Sequence, residues 1–184
     1  MDPNDLWGTQ PIATVGDDEL YTTFGAVGAA LTSWELFEAH LSLIFAAVVG
    51  GGIQPSAATR AYGSVVSFSG RLSMLRAAAD MYFAENPESA ALAVELQEIT
   101  KEAHRAGTRR NEIAHGVVQA TGPGMTFLRG KFLLYPAYYT TSKRERDHKP
   151  KYGYASNDLV RFMQGFDLLR ERTKALLVKI QTKP

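Results

Sequence analysis

The sequence predicts an all-α protein, an antiparallel bundle of four to five helices carrying a short β-hairpin. Three observations lead there. Apolar residues recur at spacings of three and four over four long segments, as helices with one buried stripe require. Glycine and proline clusters, GGG at 50–52, NP at 86–87 and TGPG at 121–124, separate those segments. Only MTFLRGKFLLYPAYYTTS, residues 125–142, breaks the helical spacing, with an aromatic-rich pattern suited to strands. With 184 residues, 45% of them hydrophobic, the chain can bury a core without metal or disulfide help. A single domain over 1–184 is expected, with 1–16 as an N-terminal extension and 125–154 as a hairpin and loop insertion.

The first helix begins near Asp17, Asp18 and Glu19, acids that suit a helix N-terminus. Its seam runs through Leu20, Phe24, Val27, Leu31, Trp34, Glu38, Leu41, Phe45 and Val48, and the glycine triplet closes it. Pro55 and Ser56 open a second helical region through Ala61, Val65, Phe68, Leu72, Leu75, Ala79 and Tyr82. Gly63 and Gly70 lie inside it and predict a break or a close helix contact. The third segment follows the turn AENPES, with seam Leu92, Leu96, Ile99, Ala103, Ala106, Arg110, Ile113 and Val117, and ends at Thr121–Gly124. Arg129-Gly130 then suits a hairpin turn, and KRERDHKPKYGY at 143–154 reads as a loop. The last helix is capped near Ser156-Asn157-Asp158 and runs through Leu159, Phe162, Phe166, Leu169, Thr173, Leu176 and Ile180.

Composition narrows the function classes. There is no cysteine, so a disulfide framework and thiolate zinc sites are excluded, and a reducing compartment fits. The first twenty residues show neither a basic nor an apolar signal region. The longest apolar run, LSLIFAAVV at 41–49, is about half a membrane span. A cytoplasmic protein without a membrane partner is expected. Residues 1–100 hold 3 Lys and Arg against 12 Asp and Glu, and residues 101–184 hold 17 against 7. The basic half suits a polyanion such as RNA or DNA; equally, the two halves could pack and neutralise each other.

Two seam positions are charged, Glu38 and Arg110. An unpaired buried charge costs several kcal/mol, so each must reach water or a partner, and pairing with each other is the economical expectation. Arg110 also opens the densest polar stretch, TRRNEIAHG at 108–116. Asn111 and His115 lie one turn apart on one face. Arg110 lies about 140° round the helix from His115. The arginine must therefore wrap round, the helix must loosen near Gly107, or a second copy of the chain must complete the site. Arg105 and Arg109, a turn apart, are candidates for phosphate contacts beside it.

The run RRNEIAHG, on a helix that follows a long first helix containing TSWELFEAHL, resembles the HEPN superfamily, whose signature is an arginine, a polar residue and a histidine four to six positions beyond the arginine. The likeness covers roughly residues 17–120 and the last helix. It implies a metal-independent endoribonuclease acting as a homodimer, in a defence or toxin–antitoxin setting that can add an antitoxin or regulatory partner. Arg110, Asn111 and His115 would be catalytic, with Glu38 supporting them. Elementary chemistry fits the same roles. His115 suits proton transfer to and from the 2′-hydroxyl and the leaving oxygen, Arg110 suits the phosphorane charge, and Asn111 would orient one of them. The product would be a 2′,3′-cyclic phosphate, and DNA would bind uncut. No cofactor is expected and no metal, since Glu38, His40, His104 and His115 lack the spacing of a known metal site. Phosphate-loop and nucleophile-elbow motifs are absent. The alternative is a non-catalytic helical module binding RNA, a nucleotide or a protein.

Overall fold

The periodic segments fold as helices in a computed structural model that describes residues 5–50, 55–126, 129–139 and 149–182. In chain order these are α1 (Leu20–Val48), α2 (Ser56–Ser64), α3 (Phe68–Glu85), a 3-10 turn (Pro87–Ser89), α4 (Ala90–Ala114), strands β1 (Gly116–Thr126) and β2 (Arg129–Pro136), and α5 (Ser156–Gln181). The described chain is thus mostly helical with one small two-stranded antiparallel sheet. No helix among the described residues is long and apolar enough to cross a membrane.

Local chemistry sets the helix ends. Gly50, at φ 75°, follows the last turn of α1 in the left-handed conformation that glycine adopts without strain. Gly51 and Gly52 of the triplet lie outside the described residues. The expected break in the second region falls between Gly63 and Gly70. Val65 turns extended, and Ser67 starts α3 by accepting a hydrogen bond from Gly70 N through Oγ at 3.0 Å. Asn86 closes α3 by donating from Nδ2 to Tyr82 O at 2.7 Å. In α5, Asp158 Oδ2 accepts from Ala155 N at 3.1 Å, reaching back across the first turn.

The third helix does not run through Val117 as expected. It stops at Ala114, and Gly116 already pairs with Pro136. The β-branched Val117 and Val118 favour a strand, and the backbone partners offered by Tyr135 and Leu134 replace a further helical turn. The hairpin therefore begins well before Met125, and the expected stop at Thr121–Gly124 falls inside β1. Arg129 and Gly130, expected as the hairpin turn, belong to β2, and residues 127–128 lie outside the described residues. Residues 143–148 of the expected loop also lie outside them.

The contacts gather in two compact units, residues 1–34 with 108–166, and residues 35–107 with 167–184. In unit 1, β2 is bridged at Phe132 by Asp17 and at Leu134 by Tyr154. The segment 1–16, expected as an extension, contributes Trp7 to its core. Trp7 is buried and stacks on Phe166 with ring centres 5.4 Å apart, and Trp34 meets the same ring edge-on at 5.2 Å. Asp17 ties three segments. Its carboxylate accepts from Thr23 Oγ1 at 2.7 Å, from Ser156 Oγ at 2.6 Å and from Ser156 N at 2.9 Å, which places a negative charge at the first turn of α5. The core of unit 2 comprises Phe37, Leu41 and Ile44 of α1, Leu72 and Leu75 of α3, Leu96 and Ile99 of α4, and Leu176 of α5.

Part of the charge asymmetry is neutralised internally. Lys131 pairs with Asp18 in unit 1, and Lys179 with Glu95 at 2.7 Å in unit 2, each joining the basic part of the sequence to the acidic part. These pairs are largely exposed and contribute about 0–1 kcal/mol apiece.

Candidate functional site

The last turn of α4 distributes its charges differently from the sequence seam. Arg109 is buried and Arg110 only half-buried, while Asn111 and His115 are exposed. Arg109 Nη1 lies 2.7 Å from Glu112 Oε2, one turn along the helix, and donates to the Tyr154 hydroxyl oxygen at 2.8 Å. The Tyr154 hydroxyl donates in turn to Glu112 Oε2 at 2.6 Å, and the Tyr152 hydroxyl donates to Glu112 O at 3.0 Å. Burial raises the Tyr154 pKa above its ordinary value, and the Glu112 charge raises it further, against the opposing effect of Arg109. Arg109 was expected as a surface contact for phosphate. With its guanidinium buried between Glu112 and Tyr154, it holds the end of α4 to the 152–154 segment instead.

This anchored turn presents the expected catalytic group. Arg110 Nη1 donates to Asn111 Oδ1 at 3.3 Å. His115 N donates to Asn111 O at 3.1 Å, so helical geometry extends to His115 although α4 ends one residue earlier. Asn111 and His115 therefore share a face, and the Arg110 guanidinium reaches the Asn111 amide oxygen. A helix C-terminus carries partial negative charge, so a phosphate here would depend on side-chain cations such as Arg110 rather than on backbone dipoles.

Glu38 is buried, as its place in the seam demands, and it belongs to unit 2. There its Oε1 lies 2.8 Å from Arg71 Nε, an ion pair whose N–H does not lie along the contact. Arg110 belongs to unit 1, so the expected pairing of Glu38 with Arg110 stays an expectation. Beside Glu38, the Tyr62 hydroxyl is buried without a hydrogen-bond partner among the described residues. Its pKa is raised first by burial and then by Glu38, with Arg71 opposing. Arg105, one turn before Arg109 on α4, is exposed. Among the described residues no group of three His, Asp or Glu is arranged to hold a metal ion.

No family model, curated protein or solved structure matches the chain.

Sequence reasoning missed Glu112, Tyr152, Tyr154 and Arg71. Two signals pointed to the first three. Arg109 and Glu112 stand at i and i+3 on a helix, where opposite charges meet. Tyr152 and Tyr154 alternate as residues on one side of an extended segment do, and their rings stack at 5.0 Å. Nothing local marks Arg71 as the partner of Glu38.

Proposed function

We propose that the chain is a metal-independent endoribonuclease of HEPN type, in which Arg110, Asn111 and His115 act on one phosphodiester. The observation that supports this reading is the hydrogen bond from Arg110 to Asn111, which links a fixed cation to the exposed asparagine one helical turn from His115. His115 removes the 2′-hydroxyl proton, Arg110 meets the charge developing on the non-bridging oxygens, and the amide nitrogen of Asn111 donates to the same phosphate. One motif histidine, His115, supplies one proton-transfer group per chain. A second copy facing the first would supply the acid for the leaving oxygen, which is the chemical reason to propose a homodimer. Tyr138 and Tyr139, both largely exposed and in edge contact with each other, offer ring faces for unpaired bases. A cytoplasmic setting with an antitoxin or other regulator belongs to the same proposal.

The test is incubation of purified protein with structured RNA in EDTA, comparing wild type with His115→Ala and mapping the product ends. Expected are cyclic phosphate ends from wild type, a loss of turnover of at least about 100-fold in the variant, and RNA affinity largely kept. If neither protein cuts any RNA offered, total cellular RNA included, the non-catalytic binding module takes precedence.

A further inference from the structure

Unit 2 holds a groove lined by α3 and α4. Its larger part, about 630 Å³, is mainly apolar, with Ala79, Phe83, Val94 and Leu96 among its walls and Asp80 and Gln97 supplying polar groups. A smaller part of about 350 Å³ shares two lining residues with it, Arg76 and Lys101. That part is lined by Arg76, Lys101, His104 and Arg105 together with Ser69 and Ser73, and no carboxylate lines it among the described residues.

Arg76 and Lys101 bring two fixed cations to one small hollow, where they repel each other, and an anion relieves that repulsion. The arginine at the junction is also held in place. Arg76 Nε donates to Thr100 Oγ1 at 3.1 Å, and Thr100, fully buried, commits its own proton to Gln97 O at 3.1 Å. The bond fixes the plane of the guanidinium and leaves both Nη groups for a ligand, the forked geometry that suits phosphate. Lys101 makes no hydrogen bond or ion pair among the described residues.

We infer that this groove binds a small molecule combining a phosphate-type anion with a planar apolar body, the anion held by Arg76 and Lys101 and the body laid against Phe83 and Leu96. The site uses none of Arg110, Asn111 or His115 and stands independently of the ribonuclease reading. The chemistry joins two compartments, so each half of a ligand alone binds less well than the whole.

Isothermal calorimetry with 1-naphthyl phosphate, inorganic phosphate and 1-naphthol tests this directly. Naphthyl phosphate is expected to bind at least about tenfold more tightly than either half, and Arg76→Gln and Lys101→Gln each to weaken it about tenfold. Lys101 supports nothing else in the fold, so a loss on its replacement cannot be charged to unfolding. Naphthyl phosphate binding no better than inorganic phosphate, or unaffected by both substitutions, overturns the inference.

Discussion

A buried arginine persists only where its charge and its donors are met, and Arg109 shows how closely that condition fixes a site. Glu112 and Tyr154 meet it, and the same contacts hold the last turn of α4, on which Arg110 and Asn111 stand. Removing one partner leaves the other charge buried and uncompensated, which costs about 3–5 kcal/mol, whereas replacing both with apolar side chains recovers most of that. Arg109→Met is therefore expected to lower the midpoint of thermal unfolding by roughly 10 °C, and Arg109→Met with Glu112→Leu to recover most of the loss. Calorimetric melting checks this; a single variant as stable as wild type refutes the structural role of Arg109. The sequence alone could not separate Arg109 from Arg110. Ala106 and Ile113 define the buried stripe, and both arginines sit three or four residues from each. What decides between them is Tyr154, 45 residues further along, a partner that no local pattern reveals. Glu38 was legible as a buried charge because Trp34 and Leu41 flank it unambiguously, while its partner Arg71 lies on another helix.

At the level of elements, intrinsic preference and packing sometimes oppose each other, and Gly165 is the clearest case. Alanine is favoured over glycine inside a helix by about 1 kcal/mol. A Cβ at this position in α5, however, would lie 2.6 Å from the Trp7 ring and closer still to the Leu6 side chain. Both contacts are side chains of the segment that covers the helix, so an added methyl must push that segment outward. Gly165→Ala is expected to destabilise by about 1–3 kcal/mol despite its helix propensity, and to shift tryptophan emission to longer wavelength as Trp7 leaves Phe166. Unchanged emission with raised stability would show that the segment simply adjusts. Most helices were legible because their stripes are long and their caps local, as at Ser67 and Asp158. The end of α4 was not, because Val117 continues the helical spacing as readily as it begins a strand. The competing preference, strand pairing with Leu134 and Tyr135, comes from residues later in the chain.

Each unit carries a deeply buried tyrosine whose pKa burial raises above the ordinary value of 10.0, Tyr154 in unit 1 and Tyr62 in unit 2. The sign follows from linkage. Below pH 10 both are protonated whether folded or unfolded, so their contribution is fully present. Above it the unfolded chain releases protons that the folded chain retains, and stability falls by about 1.4 kcal/mol per pH unit for each tyrosine. Alkaline titration followed by tyrosinate absorbance and by helical circular dichroism should show these two residues ionising only as the helices melt. Complete tyrosine ionisation with the helices intact would contradict their burial.

The triple role of Asp17 bears on how the chain is made as well as on how it is held. Its carboxylate waits for Ser156, 139 residues later, and the strand that its backbone bridges at Phe132 is also far downstream. During synthesis the first helix therefore emerges long before the groups that cover its start exist, and forming unit 1 means closing one of the longest loops in the chain. Such non-local closure is slow. Trp7 and the apolar side of α1 stay exposed meanwhile, an interval in which a chaperone or a second nascent chain has its best chance to intervene.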